Sequence, residues 1–418
     1  MVAVLEIVKR AKKCTPLIAS AKTCQKNKIL EDIAAKLIEY SDEIIRENEK
    51  DLKKSKEAGI SGSLLDRLSL DKKRIEKIAE SIGQVIELRD PVGQVIFGYN
   101  LPNGLILKNI RVPFGLIGII YEARPNVTVD AAVLCIKAGS CVVLRGSSHA
   151  LNTNLKIVEI MQEALEKNDL ARDIISIIPA AGREDAEELM QLRQYVDVLI
   201  PRGGKSLIDS VVASSKVPVI ETGIGNCHLY IDSRLDKIGI SEIISIAVNS
   251  KTSRPSVCNA AEKLLVHRDV AESVLPAILD SLKEKNVLIK GCERTRSIYP
   301  DALPATEKDW YEEYLDLVIS VKVVDSIEEA VEHINRYGSH HTESIITSDY
   351  ENSIYFTNRC DSSTVFVNAS TRFTDGQEFG MGAEIGISTQ KLHWRGPMGL
   401  EQIMTNKFIV FGNGQIRK

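Results

Sequence analysis

Three stretches of this sequence hold residues whose types and spacing could do chemistry. SRPSVCNA, residues 253–260, sets Cys258 behind an arginine, a proline and two small residues, just ahead of an apolar run. A reactive thiolate needs nearby cations and a fixed backbone. Arg254 and Lys251 could lower the thiol pKa, and the following strand could hold the sulfur in place. YEARPNVTVD, residues 121–130, puts Arg124 and Asn126 between a strand end and a helix start. The Asn126 amide could donate to a developing oxyanion and Arg124 could hold an anion, although an asparagine after proline is also an ordinary helix cap. VFVNASTRFTDG, residues 365–376, gathers Asn368, Ser370, Thr371 and Arg372 behind a strand, a polar set suited to a small carboxylate and amine. His340 and His341, in a loop, could act as acid or base, with solvation as the default.

Other segments suit a nucleotide. Arg145 directly follows the apolar run CVVL, where a guanidinium can bind a ribose 2′-phosphate and favour NADP over NAD. LIPRGGKSL is a strand end, two glycines and a helix start, so the N–H groups of Gly203, Gly204 and Lys205 could meet a pyrophosphate. ETGIGN has His228 where a third glycine would complete a dinucleotide fingerprint, and is weak as such.

The elements that must position these residues follow from pattern. The first 90 residues read as helices, with Leu30, Ile33, Ala34, Leu37 and Ile38 on one face and a break at Pro91. Two β-rich runs flank Asn100–Gly104, whose Asn-Gly pair predicts a hairpin, and KFIVFGNGQIRK offers a last strand to join it. From residue 115 apolar runs alternate with helical stretches, and a second such series starts near 230; this argues for two α/β units with parallel sheets. In such sheets ligands bind beyond the carboxyl ends of strands, so the loops after the apolar runs are the expected sites.

Bulk properties exclude some classes. At 418 residues two or three domains are expected, and a net charge of −4 offers no attraction to nucleic acid. No apolar run reaches the ~18 residues of a membrane span. Eight cysteines with no CxxC spacing predict neither a zinc site nor a disulfide framework, which fits a reducing, cytoplasmic setting without a metal.

Taken together, YEARPNVTVD, LIPRGGKSL, SRPSVCNA, NASTRFTDG and GAEIGISTQKLHWRGPMGLE resemble the gamma-glutamyl phosphate reductase family, within the aldehyde dehydrogenase superfamily, nearly end to end. The resemblance implies an NADPH-dependent reduction of L-glutamate 5-phosphate to glutamate 5-semialdehyde, with Cys258 as nucleophile and a thioester intermediate, in proline biosynthesis. It implies that Glu313 holds the nicotinamide ribose. An aldehyde dehydrogenase-like α/β fold is implied: two Rossmann-like α/β domains with parallel sheets, plus a β-hairpin oligomerisation arm. The expected segments are a cofactor domain over 1–92 and 111–230, a catalytic domain over 231–370, and an arm over 93–110 and 395–418. A homo-oligomer is implied, and glutamate 5-kinase is a candidate partner. Counting from Pro113 aligns the superfamily's oxyanion asparagine with Arg124, so Asn126 requires a two-residue shift. Glu221 falls where hydrolytic relatives carry a water-activating glutamate, and is expected to be turned away or shielded. The alternatives are such a hydrolytic aldehyde dehydrogenase, or a catalytically silent partner of the kinase.

Overall fold

The computed structural model describes residues 3–60, 63–122, 124–179 and 182–417. The chain divides into two compact units: Met1–Thr222 with Gly380–Gly386 and Met398–Lys418, and Gly223–Phe379 with Ile387–Pro397. The boundary expected at 230 moves to 222, because the strand Cys227–Ile231 lies inside the second unit's sheet. The second unit also runs beyond 370, and the returning tail starts at Met398 rather than 395.

The first unit opens with the long helices Val4–Ala19, Thr23–Glu39, Ser41–Glu57 and Lys72–Glu87. Leu30, Ile33 and Leu37 are buried along one stripe, while Ile38 is 50% exposed, so the apolar face is narrower than its sequence suggests. Asp71 caps the fourth helix by accepting the Arg74 N–H. Behind them a parallel sheet runs in the order Ile175–Ile177, Cys141–Arg145, Leu116–Tyr121, Val198–Arg202. Leu116–Tyr121 is buried at every position, which is why it reads as an unbroken apolar run rather than an alternating one. The chain builds outward from this strand, then returns to its other side. The reversal leaves a crevice at the carboxyl ends of Leu116–Tyr121 and Val198–Arg202.

The predicted hairpin is Val95–Asn100 against Ile106–Pro113, with Asn100 opposite Ile106 and Gly104 at φ 85°, a conformation that favours glycine. Met404–Phe411 adds a third antiparallel strand, running from Met404 opposite Pro113 to Phe411 opposite Ile106. Val95, Ile96, Phe97, Tyr99, Phe408 and Phe411 are exposed on this ribbon.

The second unit is a seven-stranded parallel sheet in the order Leu303–Pro304, Leu288–Gly291, Val318–Val324, Ala261–His267, Cys227–Ile231, Thr342–Ile346, Thr364–Val367. Its central strands are buried throughout. No described helix is long and apolar enough to cross a membrane.

Candidate active site

Cys258 is partly exposed, in the loop between the helix Ile240–Thr252 and the strand Ala261–His267. That places it at the amino end of its strand. This candidate thiol therefore lies away from the carboxyl ends of strands, where the sheet topology led us to expect the chemistry. The segment at Gly225 ahead of Cys227–Ile231, and Glu313 ahead of Val318–Val324, belong to the same amino-terminal edge.

Burial pushes the thiols of Cys135, Cys141, Cys227 and Cys360 above their ordinary pKa, which makes them inert packing groups. Cys258 instead lies within electrostatic reach of a cation. Burial pushes the Arg372 guanidinium below its usual value, and the Cys258 charge is the strongest influence holding it up. Lys251 does not play the role expected of it: fully buried, its Nζ pairs with Glu262 at 2.9 Å. Arg254 is exposed and acts on Arg372 as a like charge.

The 370–372 segment is stitched to the Cys258 loop. Thr371 Oγ1 donates to the Asn259 carbonyl at 2.7 Å, and Asn259 Nδ2 donates to the carbonyls of Arg372 and Thr374 at 3.3 and 2.9 Å. Arg372 donates to the Asn259 side-chain oxygen and, through Nε, to Ser253 Oγ at 2.9 Å. Ser370 Oγ accepts from Ser250 at 3.0 Å. Asn368 does not join them. Its amide exchanges two 2.9 Å hydrogen bonds with the Thr347 backbone, which hold Asn368 at φ 56°. Sequence reasoning passed over Asn259, although it directly follows the cysteine.

Gly225 links the thiol loop to Glu313. Its N–H donates to Glu313 Oε1 at 2.6 Å, and its α-carbon lies so close to Cys258 that an added Cβ would sit 1.4 Å from the Cys258 carbonyl oxygen. That carbonyl also accepts from Cys227 Sγ at 3.1 Å. Glu313, Gly225 and the Cys258 backbone therefore form one rigid contact chain.

In the first unit the crevice carries the nucleotide candidates. Arg145 ends its strand and donates to the Gly182 carbonyl at 2.6 Å; burial pushes its pKa down while Asp185 opposes the shift. Gly204 caps the helix Lys205–Ser214, but its N–H is engaged by the Glu122 carboxylate at 3.0 Å. The helix start thus holds a carboxylate of the chain itself where a pyrophosphate was expected. Lys205 lies exposed, 3.9 Å from Asp209. Asn126 Nδ2 donates to Asp130 one turn along its own helix, at 3.1 Å, and burial raises the Asp130 carboxyl to about 6. Arg124 caps that helix, and its backbone N–H donates to the Glu122 carbonyl.

Behind the thiol loop lies a buried pair. The Glu343 carboxyl accepts the His228 N–H at 2.7 Å and lies 3.1 Å from His228 Nδ1, within ion-pair range. Burial, however, raises Glu343 to about 8 and pushes His228 well below its usual value, so the contact joins neutral groups. The folded chain therefore keeps a proton that the unfolded chain loses above about 4.5. Taken alone, the Glu343 carboxyl lowers stability as pH rises from there towards 8, by at most about 1.4 kcal/mol per pH unit, while the depressed His228 opposes this below its ordinary value of 6.5. Glu343→Gln removes this term. Its melting temperature should gain on the wild type as pH is raised from about 5 to about 8; a constant gap across that range contradicts the assignment.

The aldehyde dehydrogenase family profile matches residues 2–293. Gamma-glutamyl phosphate reductase of Clostridium perfringens is 54% identical over 409 residues, 98% of each chain, and that of Dictyoglomus thermophilum 52% over 414 residues, 99% of each. The chain belongs to the gamma-glutamyl phosphate reductases of the aldehyde dehydrogenase family. The crystal structure of gamma-glutamyl phosphate reductase from Thermotoga maritima superimposes with a TM-score of 0.96 at 46% identity, covering 99% of this chain and 100% of that one. A nicotinamide cofactor follows from the family, and the first unit's crevice suits one. It offers a cation at Arg145 and a helix start whose N–H already binds a carboxylate.

Proposed function

We propose that this chain reduces L-glutamate 5-phosphate to L-glutamate 5-semialdehyde with NADPH, releasing phosphate, as the second step of proline biosynthesis from glutamate. The observation that carries the reading is Cys258: a partly exposed thiol within electrostatic reach of Arg372, in a loop whose backbone is fixed on both sides. The thiolate attacks the acyl phosphate carbon, forming a C–S bond as the C–O bond to phosphate breaks. The Cys258 N–H and a side-chain amide, for which Asn126 is the candidate, stabilise the oxyanion once Asn126 leaves Asp130. NADPH supplies the hydride that reduces the thioester carbon. Collapse of the thiohemiacetal then frees the aldehyde and restores the thiolate. Arg145 takes the 2′-phosphate, the Gly203, Gly204 and Lys205 turn the pyrophosphate in place of Glu122, and Glu313 the nicotinamide ribose. Arg124, Arg254, Ser370, Thr371 and Arg372 bind the substrate's charged ends, whereas Asn368 shapes the turn that presents them.

The exposed Val95, Phe97, Tyr99 and Phe408 support a homo-oligomer assembled through the arm. The reverse reaction tests the function: glutamate 5-semialdehyde should reduce NADP, in preference to NAD, only when phosphate or arsenate is supplied. Oxidation without either would identify a hydrolytic enzyme and overturn the reading.

A further inference from the structure

The strand Ala261–His267 carries two charged residues at successive, fully buried positions, Glu262 and Lys263. Successive strand residues point to opposite faces. Both nevertheless reach the segment that holds Glu313. Lys263 Nζ donates to the Glu312 carbonyl at 2.7 Å and lies 4.8 Å from the centre of the Tyr314 ring. Glu262 Oε1 accepts the Leu315 N–H at 3.3 Å, while its Oε2 pairs with the buried Lys251. Leu315 sits at φ 54°, a left-handed conformation that a leucine adopts only when held. Tyr314 is fixed in turn, its hydroxyl 2.9 Å from Asp309 Oδ1 and 2.7 Å from Ser320 Oγ.

We infer that Glu262 and Lys263 are positioning residues, which hold the 312–315 segment, and through it the Glu313 carboxylate, in register with Cys258. This rests on the reading of Glu313 as the ribose-binding residue. The clamp closes on backbone groups on both sides of Glu313, and the strand that supplies it begins three residues after the nucleophile. Glu313 then meets Gly225, whose α-carbon packs on Cys258, so a closed path joins thiol and carboxylate within one unit. Stability alone does not account for the charges. Burial raises Glu262 to about 7 and lowers Lys263 to about 7, and apolar residues of similar volume usually stabilise a core at least as well as buried ion pairs. A fixed register is the better-attested use of such groups.

The test compares Lys263→Met, Lys263→Arg and Glu313→Gln in the full chain. It reads NADPH affinity by fluorescence titration, turnover, and the rate at which iodoacetamide alkylates Cys258. Lys263→Met should weaken NADPH binding and slow turnover by about 10- to 100-fold while changing alkylation less than about twofold, and Lys263→Arg should restore part of the loss. Unchanged NADPH affinity in Lys263→Met, beside a weakened Glu313→Gln, overturns the positioning role alone. Parallel loss of affinity and thiol reactivity overturns it too, since that marks general collapse. If Glu313→Gln binds NADPH normally, the ribose reading falls first. Should Lys263→Met fail to fold, Glu262→Gln is read by the same criteria.

Discussion

Cys258→Ser is expected to lower phosphate-dependent turnover by about 10³-fold or more while leaving NADPH affinity unchanged. A serine hydroxyl is far less acidic than a thiol, so Arg372 cannot hold it as an anion at neutral pH, and an oxygen ester accepts hydride less readily than a thioester. The replacement is nearly isosteric, and the Cys258 carbonyl and the Asn259 side chain, both kept in the variant, anchor the loop. The fold should therefore survive. Steady-state rates, with mass spectrometry of wild-type enzyme quenched during turnover, decide the matter. Turnover retained in the variant, or no acyl adduct on Cys258 in the wild type, would remove the covalent mechanism.

Gly225→Ala should have the next largest effect. The new methyl group would fall 1.4 Å from the Cys258 carbonyl oxygen and 2.2 Å from its carbonyl carbon, both backbone atoms that cannot swing aside. Either the thiol loop moves or the Gly225 N–H leaves Glu313, and both outcomes misplace the reacting groups. A loss of about 100-fold in kcat fits displacements of this size, with about 1–3 kcal/mol of destabilisation from overpacking. Gly83→Ala is the control: it lies within the helix Lys72–Glu87 with nothing inside 4 Å of its Cβ, and should keep full activity with a slightly higher melting temperature. Normal kcat in Gly225→Ala would show that the contact is unimportant.

The fold was largely legible in the sequence, because strands buried on both faces appear as plain apolar runs and Asn103-Gly104 marks its own turn. The edges of the site were harder. Asn126 reads as an oxyanion donor and Asn368 as part of a substrate-binding polar set, yet short polar side chains near turns bond to their own neighbourhood first, here Asp130 and Thr347. The rule for open α/β sheets points to the carboxyl ends of strands, as at Gly204, whereas Cys258, Gly225 and Glu313 share the amino-terminal edge of the second sheet. Glu122, the carboxylate on Gly204, is 82 residues away in sequence and no spacing announces it. One signal was available and unused: the charges in AEKLLVH interrupt a strand that otherwise reads as fully buried.

The strand Met404–Phe411 closes its ribbon against Ile106–Pro113, across almost three hundred residues of intervening chain. A nascent polypeptide leaving the ribosome therefore completes all of the second unit's sequence before the first can be finished. Until Met404–Phe411 emerges, the inner hairpin strand keeps one row of backbone amides without a mate. A chain cut ahead of Met404 would carry an open β edge, a template for self-association and a ready target for quality-control proteases.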